Sequence, residues 1–433
     1  MYENSSNEKR NVSGNRKRRV YDFYGIPYAK APVGEKRFCP PVSAEAFEGI
    51  RDCTRPKIRP WMKNPEPDSA VGKEFCFAKE YLHPRSEDSL QLHIWTPAKM
   101  TDEKLPVAVW IHGGGFQKGY GTEVEIDGAG FCKRGVILVS VEYRMAAFGF
   151  LCHPWLAKEQ GGICGNYGIW DQIEALKWVK QYIADFGGDP DKVTIIGQSA
   201  GAMSVQILAS SPLTTGLFRG AVMQSGGGYE SPLTIGTVQN AAEKIGEQFV
   251  EELGVKSLKE LRQIPAETLC QAADAFQMKY QGKLLFTPVV DGWLLPGTLD
   301  EIIRNNQYAD IPYLVGSNAD DMCTEDLAKG MEKFASKAEE LGRKPVWVYR
   351  FKQVPPANQE GMYQGSYHSA ELWYVFETCE RGSRPFGKAD YRLSKRMADC
   401  WCDFVTFGNP DPDGNRGWSA YKNEKDVFPF VEK

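Results

Sequence analysis

Ser199 stands at the centre of Val193-Thr-Ile-Ile-Gly-Gln-Ser-Ala-Gly201, a stretch with the spacing of a nucleophile. Four β-prone residues lead into Gly197, and a helix-compatible run, Ala200 to Ala209, leads out of Gly201. A serine on such a Gly-x-Ser-x-Gly turn takes a strained backbone angle. Its neighbours two places away must lack Cβ for strand and helix to pass closely. The turn lifts the hydroxyl clear of the sheet, beside a helix N-terminus that favours developing negative charge.

Serine is a weak nucleophile at neutral pH and needs an adjacent base and an orienting acid. Five histidines are available. His83 and His153 precede prolines in polar loops, and His112 belongs to a glycine run. His93 falls on the polar side of an alternating strand that begins at Leu90, so a half-exposed surface position is expected for it. His368 alone occupies the late loop where the order Ser, acid, His places the base. The acid belongs at the carboxyl end of an intervening strand, where sites on such sheets gather, and both Asp320 and Asp321 qualify. A second glycine run, His112-Gly-Gly-Gly115, lets backbone N–H groups turn toward a substrate carbonyl. With the N–H of Ala200 it forms a candidate oxyanion hole, where losing one donor costs about 3 kcal/mol.

The elements that must position these groups alternate in type. Pro106–Ile111 and Val136–Val141 are continuous apolar strands of the kind buried on both faces of a parallel sheet. A helical pattern from Trp170 to Ala184 follows, then the elbow strand, then the strand Gly220–Ser225. About 229–284 reads as a helical insertion, followed by the strand Pro312–Ser317, an amphipathic helix Glu325–Leu341, the strand Pro345–Phe351 and a closing helix Leu393–Phe407. The expectation is one α/β catalytic domain over 1–433, a mostly parallel sheet with helices on both faces.

Composition narrows the function classes. A net charge of −4 gives no electrostatic reason to expect nucleic acid or an anionic membrane as partner. No apolar run approaches a membrane span, and Met1–Arg19 lacks the apolar core of a secretory signal. The basic Arg16–Arg19 cluster reads as a solvated edge hairpin. The sequons at Asn4 and Asn11 read as coincidence in a chain without a visible signal. Eleven scattered cysteines read as mostly free thiols in a reducing compartment, and Cys400-x-Cys402 as core packing rather than a metal site.

Taken together, the chain resembles the type-B carboxylesterase, cholinesterase-like family of α/β-hydrolases from about Tyr24 to Tyr421. The resemblance rests on Gly25-Ile-Pro-Tyr-Ala29, Ser86-Glu-Asp88, Trp110–Phe116, Tyr167-Gly-Ile-Trp-Asp-Gln172, Phe186-Gly-Gly-Asp-Pro190, Gly197-Gln-Ser-Ala-Gly201 and Gly365-x-x-His-x-x-Glu371. It implies an α/β-hydrolase fold and ester hydrolysis through an acyl-enzyme, with no cofactor or metal. Ser199 matches the nucleophile, His368 the base, and Gly114, Gly115 and Ala200 the oxyanion hole. Gly316-Ser-Asn-Ala-Asp-Asp321 aligns Asp321, in preference to Asp320, with the family's acidic residue. Arg37 with Glu87 and Arg144 with Asp171 match structural ion pairs, and Ser225 and Glu371 match a buried polar network behind the serine.

Three departures stand out. Gln198 replaces the usual glutamate and removes a negative charge beside the site, disfavouring cationic substrates. Ser89 stands where secreted relatives carry a disulfide cysteine, which supports a cytoplasmic enzyme. The acid is an aspartate, and the helical segment after it, about 322–343, is short. The implied partner is a small-molecule ester, with the protein a monomer or homodimer free of nucleic acid and of stable membrane insertion. Two rival readings are an esterase for aromatic, hydroxycinnamoyl-type esters, prompted by Tyr367, Trp373, Tyr374 and Phe376 near His368, and a non-catalytic binding module.

Overall fold

The computed structural model of the chain describes residues 11–17, 20–45, 49–281, 283–357 and 360–432. Asn4 and Arg18–Arg19 lie outside these residues. The apolar segments form the middle of a ten-stranded sheet. From one edge its strands are Phe428–Phe430, Val346–Phe351, Tyr313–Asn318, Gly220–Gln224, Gly188–Gln198, Leu105–Ile111, Ile137–Val141, Gln91–Thr96, Val20–Pro27 and Asn15–Lys17. Neighbours pair parallel from the first edge through Ile137–Val141. The strands nearest the N-terminus pair antiparallel at the other end.

The strand Leu105–Ile111 explains why its sequence lacks alternation. Val107, Val109 and Ile111 face one core, shared with the helices Tyr167–Tyr182 and Ala200–Ser210. Ala108 and Trp110 face a second core on the opposite side, built on the helix Lys388–Phe407. Both faces are buried, so both carry apolar side chains. Because the central strands are parallel, the segments that follow them emerge at one carboxyl edge. There the chain brings the loop after Ile111, the turn at Ser199, Ser225, Asp320–Asp321 and the loop carrying His368 to one end of the sheet.

The strand Gln91–Thr96 differs from the sequence expectation. All its residues are buried, and His93 is fully enclosed rather than half-exposed. The strand lies between two antiparallel neighbours, and its polar side faces a partner instead of water. His93 Nε2 lies 3.1 Å from Glu142 Oε1, and its Nδ1 accepts from Gly25 N at 3.2 Å. A buried polar residue that is fully hydrogen-bonded is sequence-indistinguishable from an exposed one.

All eleven cysteines are free thiols, and Cys323 alone is exposed. Cys400 and Cys402 are buried in the second core. Among the described residues, no helix is long and apolar enough to cross a membrane. Both expected ion pairs form: Arg37 grips Glu87 through bonds of 2.7 and 2.5 Å. Arg144 grips Asp171 through 2.8 and 2.7 Å bonds, and its backbone N–H donates to the same carboxylate.

Asp171 is fully buried and Arg144 nearly so. Asp171→Asn leaves the guanidinium without its counter-charge, and the expected loss of stability is about 3–5 kcal/mol, read as a drop in the urea unfolding midpoint.

Candidate active site

The elbow is held by backbone contacts too close for side chains. A Cβ on Gly197 would come 2.3 Å from the Gly201 carbonyl, and one on Gly201 would lie 2.0 Å from the Ile111 carbonyl oxygen. Gly226 approaches from the next strand, where a Cβ would lie 2.2 Å from the Ser199 carbonyl oxygen. Within this clamp Ser199 takes φ 56° and ψ −123°, a conformation non-glycine residues avoid. Its N–H donates to Gln224 O at 2.8 Å, and its carbonyl accepts from Met203 N at 3.0 Å. Both of its backbone groups are thus satisfied, while its side chain projects at the head of the helix Ala200–Ser210.

The loop bearing His368 is fastened to the end of the strand Tyr313–Asn318. Asp320 pairs with Tyr367 in an isolated parallel bridge, and its carboxylate accepts from Ser366 N at 2.7 Å. Asn318 Nδ2 donates to Tyr367 O at 2.7 Å. This pairing points adjacent aspartates in different directions: Asp320 holds the loop, whereas Asp321 Oδ1 meets His368 Nδ1 at 2.5 Å. Asp321 also accepts from the backbone N–H groups of Asn318 at 2.9 Å and Met322 at 2.8 Å.

The electrostatics follow from these contacts. Burial pushes the Asp321 carboxyl upward, but the His368 contact, the nearby Ser225 hydroxyl and the Asn318 N–H outweigh it, leaving it below its ordinary value. Burial pushes His368 downward, and the charges of Asp321 and Glu371 more than offset that, leaving it raised. Asp321 is therefore ionised and accepts the Nδ1 proton, so His368 in its neutral form presents a lone pair at Nε2. Glu371 lies behind this pair, fully buried, receiving Asn318 Nδ2 at 2.5 Å and Gln224 Nε2 at 3.4 Å. Burial and the charge of Asp321 raise its carboxyl to about 7.

The structure thus brings His368, Asp321 and the elbow together, but the described contacts include no hydrogen bond from Ser199 Oγ to the ring. His368 Nε2 instead faces the Gln198 side-chain amide, with 3.3 Å between the nitrogens. Contacts between nucleophile and base are often loose without substrate and close in the complex. The glycine loop lies against the nucleophile: a Cβ on Gly113 would come 3.1 Å from Ser199 Cβ and 2.7 Å from Gln198 O. Gly114 and Gly115 take positive φ, 103° and 65°.

Sequence reasoning missed what stabilises that loop. Gln117 Nε2 donates to Phe286 O at 2.6 Å, and Gln277 Nε2 donates to Gln117 Oε1 at 3.0 Å. Half-exposed Leu284 lies over Gly115, 3.3 Å from where its Cβ would be. No local signal marks these contacts, since they join segments 160 and 169 residues apart. Conversely, Tyr367, Trp373, Tyr374 and Phe376 are buried in the second core, with Tyr367 OH and Trp373 Nε1 both donating to Glu74. They are spent on packing rather than on lining a site. His112 is buried too, with Nδ1 2.9 Å from Gly113 O and its ring stacked on Tyr143, and His153 caps the helix Pro154–Glu159.

The model of the Carboxylesterase family matches residues 8–339 and 326–430. The chain is 31% identical to para-nitrobenzyl esterase of Bacillus subtilis (strain 168), over 95% of this chain and 91% of that protein. It is 30% identical to fumonisin B1 esterase of Sphingopyxis macrogoltabida, over 95% and 83% respectively. The solved structure of a thermophilic PNB esterase superposes with a TM-score of 0.82 at 30% identity, covering 95% of this chain and 92% of that one.

Glu371 supplies a prediction with a definite sign. Its raised carboxyl contributes stability that is full below the ordinary carboxylate range and is lost as pH rises through about 7. Glu371→Gln cannot ionise, so its urea midpoint is expected to fall less than that of the unaltered protein between pH 5 and 8, whatever the offset between the two curves.

Proposed function

The chain belongs to the carboxylesterase family and is a serine ester hydrolase, and from that premise we propose that Ser199, His368 and Asp321 carry the reaction. The observation that supports this most is the 2.5 Å contact between His368 Nδ1 and Asp321, made beside the strained serine turn. Ser199 Oγ attacks the ester carbonyl carbon while its proton passes to His368 Nε2. The C–O bond that forms drives the carbonyl electron pair onto oxygen, where the N–H groups of Gly114, Gly115 and Ala200 receive it. Collapse of this intermediate breaks the bond to the alcohol oxygen, which leaves with the proton from Nε2. Water then repeats the sequence on the acyl-enzyme, releasing the acid and restoring Ser199. Asp321 stays ionised throughout and balances the imidazolium.

The substrate is a small neutral ester. Gln198 puts no negative charge beside the serine, so a quaternary ammonium alcohol gains nothing there, and Leu284 offers an apolar wall next to the glycine loop. The free thiols support a reducing, cytoplasmic setting, and the protein acts as a monomer or homodimer. With p-nitrophenyl butyrate, Ser199→Ala is expected to lower kcat by at least about 10⁴-fold with the fold intact by circular dichroism. Undiminished turnover in that variant would overturn the assignment. A butyryl ester of an uncharged alcohol is expected to be turned over with a higher kcat/KM than butyrylcholine.

A further inference from the structure

The contact between Gln198 and His368 is made by a residue to which the reaction gives no part. Gln198 immediately precedes Ser199 and is 2% exposed. Its side chain is wedged between two parts of the machinery. Nε2 reaches His368 Nε2 at 3.3 Å. Oε1 lies toward the glycine loop, 3.1 Å from where a Cβ on Gly113 would stand. That is the nitrogen to which Ser199 must give its proton under the reading above, on which this inference rests.

We propose that Gln198 is a positioning residue: its amide N–H donates to the Nε2 lone pair of neutral His368, parks the ring at the rim of the glycine loop, and yields that nitrogen to Ser199 when an ester binds. The donor inventory makes the contact selective. Asp321 holds the proton on Nδ1, so neutral imidazole has only an acceptor at Nε2, and an amide N–H fits it. Imidazolium would place N–H against N–H, which disfavours the amide in its present orientation. The contact therefore favours the ring form that can act as base. The charged groups acting on His368 are Asp321, from the end of the strand Tyr313–Asn318, and Glu371, from the segment after it in sequence. Gln198 and Ser199, which come from the elbow, carry no charge. A carboxylate in place of Gln198 would add a third negative charge at Nε2, from the side opposite Nδ1, and would stabilise imidazolium instead.

The test compares kcat/KM against pH, and kcat and KM separately, for p-nitrophenyl butyrate with the unaltered enzyme, Gln198→Glu and Gln198→Ala. In Gln198→Glu the acidic limb is expected to move up by about one pH unit, so that well below that limb kcat/KM falls about tenfold. In Gln198→Ala the free enzyme loses the donor that favours the neutral ring, so the acidic limb of kcat/KM is expected to move up by a smaller amount, with kcat on the plateau within about twofold of the original because the contact is already given up in the bound complex. The chain has five histidines, so ¹⁵N-imidazole spectra can follow His368 directly. Its titration is expected to move up in Gln198→Glu, which separates an effect on the ring from one on folding. An unmoved acidic limb or an unmoved His368 titration in Gln198→Glu, or an acidic limb in Gln198→Ala that stays in place or moves down, would overturn the proposal. That result would leave the serine assignment standing so long as Ser199→Ala is inactive, whereas an active Ser199→Ala would defeat the assignment itself.

Discussion

Everything at this site depends on three backbone segments lying closer together than any side chain permits. The turn at Ser199 exists because Gly197 meets Gly201, Gly201 meets the Ile111 carbonyl, and Gly226 meets the Ser199 carbonyl, each without room for a Cβ. Contact between neighbouring strands and the helix Ala200–Ser210 stores strain at one residue, φ 56° and ψ −123°, and the surrounding cores hold it there. That strain aims one hydroxyl off the end of the sheet. The same approach sets Gly113 against Ser199, so nucleophile and glycine loop are positioned by a single packing arrangement rather than by separate loops.

The acid and base are placed by an extension of the sheet's own hydrogen bonding. The strand Tyr313–Asn318 continues into Ala319 and Asp320, which pair with Phe351 and Ser366. Residues on an extended chain alternate in direction, so one aspartate fastens the histidine loop and the next faces the ring. Asn318 bridges both parts, donating to Tyr367 O and to Glu371. The arrangement concentrates two carboxylates around one imidazole in a buried space. Its balance is visible in opposite displacements: Asp321 is held below its ordinary range by its partners, and Glu371 is driven up to about 7 by burial and by Asp321.

The legible part of this protein is the part governed by period and local strain. Strands buried on both faces announce themselves as unbroken apolar runs, and Leu105–Ile111 and Ile137–Val141 were readable for that reason. The glycines flanking Ser199 were readable because only their absence of Cβ allows the turn. His93 was misread because its strand is enclosed by segments distant in sequence, and the buried ring is matched by Glu142, 49 residues away. The choice between Asp320 and Asp321 could not be made from their position after a strand, since neighbours face opposite ways and only the register settles which. The family motif pointed to Asp321, and the observed contact is with Asp321. The Gln117 latch left no trace in sequence at all. At Gln198 the loss of a charge was legible, but not the bond the amide makes.

The most direct measurement is a crystal structure of the protein after reaction with a fluorophosphonate ester, which mimics the tetrahedral intermediate. The account predicts phosphorus bonded to Ser199 Oγ, with the phosphoryl oxygen about 2.7–3.1 Å from the N–H nitrogens of Gly114, Gly115 and Ala200. It also predicts His368 Nε2 turned from Gln198 toward the serine oxygen, with Nδ1 still on Asp321. A phosphonyl group on another residue, or an oxygen directed away from the glycine loop, would contradict it.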